Sequence, residues 1–489
     1  MSSVLAGREG DAAFDSDEAV IYSPTAHGSA RVTAVDLALI CVFLIGLYTN
    51  YTIQISAKVP FPSAPAGIAG LILLWRRRDR ITTSAFVGFI VVELLYLLSI
   101  LWATDLAFLS RRTNGLLQLT YSLVIGYGLF LTVTQATSKQ VAGLFLAFAL
   151  VILVGCLLED YAGFRAISDP VRSLLYSSGI YENDLRDVLL YGRVRPKFFA
   201  SEPASVTFCF SLFTFVWMVT SRSPYKLLIY VGMVAGGLFA MPGPTLLLML
   251  LIVLPYMLFL ASRRNGRLDI NRFLKVVVVA LVFSIAFLVV GQSMFAERLK
   301  QITSGNDASF FYRVQGPAIA GMDIITNYPF AGTGLTGEPF IQDEVINLYA
   351  RSAGFSVAWQ IVSPASELLI NYFWLHWIYL GLIWGSAIAI ALTCWLRLLK
   401  VPSTAFCWSV WAIMGQASGA YVGPTCWAVL FLAAAAAVIH QRIEEDIVPA
   451  ELIPPAPQYS VLARRLANIR QPHPLQAASP LIDHAPGKT

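Results

Sequence analysis

The residues best suited to chemistry in this chain are cations. The stretch "RVRPKFFASEP", residues 193–203, carries Arg193, Arg195 and Lys197 beside a single acid, Glu202. Farther on, Arg298 precedes "FFYRVQG", which holds Tyr312 and Arg313. "SELLINYFWLH" then sets Glu367, Asn371 and His376 at the entry to an apolar segment. Guanidinium groups bind phosphate oxygens in a forked, two-bond geometry and stay charged at any working pH. Arginines gathered from two distant loops are therefore suited to an anionic ligand, most plausibly a lipid phosphate or pyrophosphate. Such a cluster also stabilises a departing pyrophosphate electrostatically, without a metal. Glu202 stands where a loop becomes a helix, with Ser201 as the candidate N-cap and Pro203 in the first turn. A carboxylate there is favoured by the helix dipole, and it is equally placed to take a proton from a sugar hydroxyl or to orient that sugar.

Each residue also has a plainer reading. Arg195 and Lys197 lie close to a span, where they could snorkel to lipid headgroups. A lone histidine on an aromatic-rich helix, as His376 is, is more often packed than catalytic. Glu367 and Asn371, four apart, share one helical face. Gly332 and Gly334 form a turn within "NYPFAGTGLTG", behind an amphipathic stretch that begins at Arg313 and lies along a membrane surface.

The elements that must position these residues follow from hydropathy. Of the 489 residues 57% are hydrophobic and 13% charged, which excludes a water-soluble fold, because so few charges cannot cover so much apolar surface. Apolar runs at about 36–57, 62–75, 84–103, 115–135, 140–158, 202–220, 225–241, 244–261, 273–293, 372–396, 403–420 and 423–441 predict an all-α, polytopic integral membrane protein with about 12 transmembrane helices. The second run is short, and the pair around "AMPGPTLL" reads equally as one broken helix. "RRRDR" at 76–80, "SRSPYK" at 221–226, "SRRNGRLDINRFLK" at 262–275 and the Arg397/Lys400 pair fall on one side when the spans alternate, and by the positive-inside rule that side is the cytoplasm. The reading is thus a polar cytoplasmic tail at 1–35, a transmembrane domain at 36–441 with exported loops at about 159–201 and 294–371, and a Pro-rich, disordered cytoplasmic tail at 442–489. No cleavable signal peptide is expected. The six cysteines, none in CxxC spacing, read as small apolar packing residues. Gly236–Gly243, the alanines at 433–437, and Gly381 with Gly385 read as helix-packing positions.

Taken together, the basic exported loops, "R…EP" entering a helix, "R…NYPFAGTGLTG", and "NYFW…YLG" before the next span resemble the O-antigen ligase and Wzy-type polymerase superfamily. The likeness runs from about 190 to 385, and the Glu-Pro after the first arginine is most similar to bacterial exopolysaccharide repeat-unit polymerases. It implies a GT-C-like helical fold whose two exported loops carry short interfacial helices. It also implies metal-independent, inverting glycosyl transfer from an undecaprenyl-pyrophosphate-linked oligosaccharide, at the outer face of a bacterial inner membrane and without a cofactor. The family's two loop arginines carry over to Arg195 and Arg313, and its proline-glycine turn to Pro329, Gly332 and Gly334. Arg193, Lys197, Arg298, Tyr312, Gly332 and Gly334 join as substrate or pyrophosphate contacts. Glu202, Glu367, Asn371 and His376 join the two arginines as catalytic candidates. Two departures stand out: Phe198 occupies the place of a usual glycine, and Ile370-Asn371 replaces a His-Asn pair prominent in the ligases, which favours a polymerase.

A ligase moving finished polymer to another acceptor uses the same donor. A lipid-linked-sugar flippase or transporter would carry its working charges near the bilayer midplane, where only Glu93 stands out. An accessory assembly subunit is a third alternative. Expected partners are membrane lipids and the chain-length-control and export proteins of a polysaccharide assembly system. The basic clusters follow topology, so no nucleic acid is expected. Asp15-Ser16-Asp17 lies in the cytosolic tail, and Gly487-Lys488-Thr489 lacks the upstream glycine of a P-loop. Glu182-Asn183-Asp184 could hold a metal, but no metal site is assigned.

Overall fold

The computed structural model describes residues 32–447, other than 57–58, 104–105, 177–180, 182–183, 265–266, 269, 272, most of 275–309 and most of 353–362. The described chain is predominantly α-helical. It divides into two compact units, Met1–Gln441 and Arg442–Thr489. Helix α1, Ala34–Thr49, opens on a capping box of Thr33 and Asp36 and closes on Asn50, whose φ of 48° is left-handed. The predicted first span ran on to residue 57. Instead Asn50 ends the helix, and β1 (Ile53–Ser56) pairs antiparallel with β2 (Val59–Phe61). Asn tolerates the left-handed cap, and Pro60 and Pro62 supply no N–H to continue a helix, so an apolar run alone was insufficient.

Helices α2 (Ala64–Arg76), α3 (Thr83–Leu101), α4 (Leu109–Val133) and α5 (Ser138–Tyr161) follow. The segment between α5 and the next long apolar helix contributes α6 (Arg165–Leu175) and α7 (Asp184–Tyr191). Next come α8 (Pro203–Thr220), α9 (Lys226–Ala240) and α10 (Leu247–Pro255), the last running into a π-helical turn at Tyr256–Ala261. Most of the predicted ninth span, 273–293, lies outside the described residues. Beyond it are α11 (Gly316–Asn327), α12 (Gln342–Tyr349), α13 (Tyr372–Leu398), α14 (Thr404–Gly415) and α15 (Pro424–Ile447).

Six of these helices, α3, α4, α5, α8, α13 and α15, are long and apolar enough to cross a membrane. Shorter apolar helices occupy the other predicted spans among the described residues. The fold is that of a helical membrane protein, and its burial pattern agrees. On α3, Phe86, Val87, Ile90, Val91, Leu94 and Leu97 are exposed along one face, which only lipid can cover favourably. Helix α8 is buried almost all round: Phe213 packs edge-on against Phe145 and Phe148 of α5. Tyr127 and Phe130 of α4, Trp395 of α13 and Phe431 of α15 form a second aromatic centre. The alanines at 433–437 are all buried. Of the six free cysteines four are buried, whereas Cys41 is half-buried and Cys394 exposed.

Candidate functional site

The segment from Asp160 to Ser201, which carries α6 and α7, is an ion-pair lattice. Arg195 directs Nε to Asp187 Oδ1 at 2.9 Å, and its Nη2 lies 2.9 Å from the same oxygen. Asp187, on α7, is fully buried, and the Tyr181 hydroxyl also donates to it at 2.8 Å. The rings of Tyr181 and Tyr191 lie 5.6 and 5.0 Å from the Arg195 guanidinium, two cation–π contacts. Burial pushes the Tyr181 phenol up, and Asp187 adds to the shift while Arg195 opposes it. Lys197 pairs with Asp184 at 2.9 Å and also lies over the Tyr181 ring, at 5.7 Å. Its backbone N–H donates to Glu159, whose second oxygen accepts from Ser168. Arg193 pairs with Asp160 at 2.9 Å and donates to Tyr161 and to the Phe239 carbonyl. Arg165 shares Asp160 at 3.5 Å. Arg172 pairs with Asp169 and donates to the Ala200 and Ser201 carbonyls. The sequence neighbourhood of Arg195 contains one acid. The folded one contains several, because α5, α6 and α7 bring aspartates to the cations.

The chain turns sharply after Lys197. Phe198 and Phe199 both adopt positive φ, 32° and 64°. Their carbonyls accept from Tyr48 at 2.6 Å and Tyr176 at 2.9 Å, and the Phe198 ring presses on Gly155. Burial pushes the Tyr176 hydroxyl up to about 12, so it serves as a donor at any ordinary pH. Non-glycine residues tolerate this region only when surrounding contacts enforce it.

Two arginines from distant segments each approach the interruption between α9 and α10. A Cβ built on Gly243 would lie 3.8 Å from Arg195 Nη1 and 3.8 Å from Thr207. Two residues on, the buried Thr245 hydroxyl accepts from Arg313 Nη1 at 3.5 Å. Among the described residues, Arg195 Nη1 makes no hydrogen bond to the protein. Arg313 rides on a π-helical turn, Phe311–Gln315, a widening that recurs at functional sites. Tyr312 in that turn packs with Phe311, Tyr349 and Phe355, ring centroids 5.5–6.4 Å apart.

Asn371 fixes the turn from behind. It is fully buried, caps α13 by accepting from the Trp374 N–H, and donates to the Arg313 carbonyl at 2.7 Å and to Gln416 at 2.8 Å. Glu367 lies on a separate helical turn, Ala365–Leu368, and is exposed. The expected shared face of Glu367 and Asn371 is therefore absent: the helix ends at Leu368, and Asn371 begins the next one with an extended backbone. Glu202, rather than Ser201, occupies the N-cap of α8. It makes no capping bond, and Oε1 accepts from Ser205 at 3.4 Å. Pro203 takes the first helical position as expected.

His376 is buried in α13, one ring nitrogen 2.8 Å from Tyr421 and the other 3.0 Å from the Gly385 carbonyl. Tyr421 continues to Tyr96 at 2.7 Å. Both imidazole nitrogens are occupied, as the packed reading requires. Gly332 and Gly334 lie in the 328–334 turn, which inserts into a break in α13 at Gly381, where φ is 64°. The freed N–H groups of Leu382, Ile383 and Trp384 donate to the Pro329 and Phe330 carbonyls, and the Thr333 N–H returns to Ile378. Gly332 and Gly381 touch backbone to backbone: a Cβ on either would meet backbone atoms at 2.3 or 2.7 Å. Gly334 abuts Arg112, a fully buried arginine that donates to the Thr333 carbonyl at 2.5 Å. Arg298, Glu182 and Asn183 lie outside the described residues. Among the described residues, no three His, Cys, Asp or Glu side chains gather closely enough to hold a metal ion.

Asp187, Thr245 and Gln416 were not singled out from the sequence, which marked Asp184 only within a possible metal-holding Glu182-Asn183-Asp184 and Gly243 only as a helix-packing position. "NDLRD" offered a signal, acids three apart on one helix face, while nothing local marked Thr245 or Gln416. Compared with known proteins, the chain matches no family model, no curated protein and no solved structure.

Proposed function

We propose that the chain polymerises undecaprenyl-pyrophosphate-linked oligosaccharide repeat units into exopolysaccharide, at the outer face of a bacterial inner membrane. In this reading the protein has twelve spans and cytoplasmic termini, which the short basic loops on one side support. The observation that carries the proposal is the approach of Arg195 and Arg313, from two distant segments, to the same α9–α10 break. Asp187 holds one edge of the Arg195 fork, which leaves Nη1 for a phosphate oxygen. Arg313 approaches from the other loop, braced through its backbone by Asn371. The sugar chain on the lipid pyrophosphate is then attacked at its anomeric carbon by a hydroxyl of an incoming lipid-linked unit. The new glycosidic bond forms as the bond to pyrophosphate breaks, with inversion, and the hydroxyl proton passes to a loop carboxylate, for which Glu202 is the candidate. Stabilising the departing pyrophosphate is the work of the two guanidiniums. Holding both substrates by lipid tails makes the encounter nearly unimolecular.

The backbone at Phe198 also supports the family likeness. Its positive φ is the conformation that glycine, usual at this position, adopts without cost. Arg193 and Lys197 act in this reading as the outer wall of the same site, and Gly332 and Gly334 act indirectly, by seating the turn that packs on α13. A ligase would use the same clamp. A flippase or transporter is favoured by one observation: Glu93, within α3, accepts from Thr120 at 2.8 Å through one oxygen while the other is buried with no hydrogen-bond partner among the described residues.

The test is reconstitution in liposomes with an undecaprenyl-pyrophosphate-linked repeat unit, products resolved on a gel. The wild type is expected to give a ladder, and Arg195→Ala and Arg313→Ala to weaken it by about a hundredfold or more. No lengthening of a competent substrate would move the assignment to a ligase or a transporter. An undiminished ladder in Arg195→Ala would return that residue to headgroup contact.

A further inference from the structure

A second cationic site lies at the opposite, "RRRDR" end of the bundle. Thr33 and Asp36 at the start of α1 and Trp75, Arg76, Arg77 and Arg78 at the end of α2 line a cavity of about 360 Å3. Asp36 is almost completely buried and takes both Arg76 Nε and Arg77 Nη2 at 2.7 Å. One carboxylate thus serves two guanidiniums. Arg78 lies over the Trp75 ring at 5.2 Å and pairs with no carboxylate among the described residues. Asp79 also lines the cavity, so three arginines face two aspartates and one positive charge is left uncompensated.

The approach to this cavity is apolar. Ile68, Leu71, Ile72 and Trp75 are all exposed on α2, at spacings that align them on one face running up to the arginines. A stripe that ends in an exposed tryptophan beside a cation pocket matches a phospholipid, with acyl chains on the stripe, the phosphate among the guanidiniums and the indole at headgroup depth. A soluble phosphate would use the pocket but leave the stripe uncovered.

We propose that this cavity binds the phosphate of an anionic phospholipid, an inner-leaflet headgroup in the topology given above. Arg76 and Arg77 are held in place by Asp36, and Arg78 supplies the charge that selects an anionic lipid over a zwitterionic one. The proposal is independent of any polymerase activity at the other end of the molecule.

Native mass spectrometry of the delipidated full chain, titrated with phosphatidylglycerol or phosphatidylcholine, tests it. The wild type is expected to prefer phosphatidylglycerol. Arg78→Gln should weaken phosphatidylglycerol binding about fivefold and leave phosphatidylcholine binding unchanged, with Arg78→Lys close to wild type. Arg78 is exposed and, among the described residues, pairs with no carboxylate and lies over the Trp75 ring, so the melting temperature should hold in both variants and confirm that they are folded. Equal affinity for the two lipids, or an Arg78→Gln variant that binds phosphatidylglycerol as tightly as the wild type, would overturn the proposal. Displacement of the lipid by millimolar inorganic phosphate would assign the pocket to a soluble phosphate, and would overturn the lipid assignment.

Discussion

Asp187 is fully buried and serves both Arg195 and Tyr181, so removing the arginine has two consequences at once. It takes away a ligand contact, and it strands a buried carboxylate, which costs about 3–5 kcal/mol. Arg195→Gln should therefore lower both the ladder and the melting temperature, while Arg195→Gln/Asp187→Asn should recover stability without recovering polymerisation. A double variant that regained the ladder would make Arg195 purely structural. Asn371 separates structure from function in another way. Asn371→Ser can still cap α13 but cannot also reach Arg313 and Gln416, so stability should fall by only about 1 kcal/mol. Inhibition by inorganic pyrophosphate should weaken far more than that, because the Arg313 turn is released. Unchanged pyrophosphate inhibition would show that Asn371 does nothing through Arg313.

At the scale of elements, the 328–334 turn and the break in α13 depend on each other. The kinked helix leaves three N–H groups without intrahelical partners, and in an apolar setting each would be costly. The turn supplies carbonyls to all three, which requires the two backbones to touch at Gly332 and Gly381. Gly332→Ala and Gly381→Ala should each cost at least about 2 kcal/mol, from positive φ together with backbone overlap. Gly143→Ala, on α5 with open space around it, should be neutral or slightly stabilising. Denaturation in detergent would measure all three, and a wild-type melting curve for Gly332→Ala would contradict the packing described here. The same turn shows what pattern could reveal: "GTGLTG" announces left-handed glycines, but its partner is a helix break some fifty residues away.

For the whole molecule, the six long apolar helices and the shorter ones make a bundle with lipid-facing stripes and an aromatic centre. Basic short loops on one face predict that a reporter fused after residue 489 is active in the cytoplasm, and one inserted in α7 active outside. The reverse result for either would invert the assignment of both cation sites. Charge is also distributed differently across the folded molecule than along the chain. The cations of the segment around α6 and α7 are largely paired by aspartates, so the surface near Arg195 is closer to neutral than "RVRPK" suggests, and the proposed anion binding rests on orientation rather than on excess charge.

Composition and hydropathy by themselves determined the class of fold and the positions of most helices, because crossing hydrocarbon demands long apolar runs wherever they occur in a chain. The sequence also marked Arg195, Arg313 and Asn371, since residue type and proximity to a span are local properties. Tertiary structure alone decided that Arg195 and Arg313, more than a hundred residues apart, face the same helix interruption, and that Asn371 braces one of them through its carbonyl. It also decided that His376 has no free nitrogen, and that Asn50 ends a helix the apolar pattern would have continued. Such outcomes depend on which carbonyls, carboxylates and rings are brought within about 3–4 Å, a matter of packing between segments that no local spacing encodes.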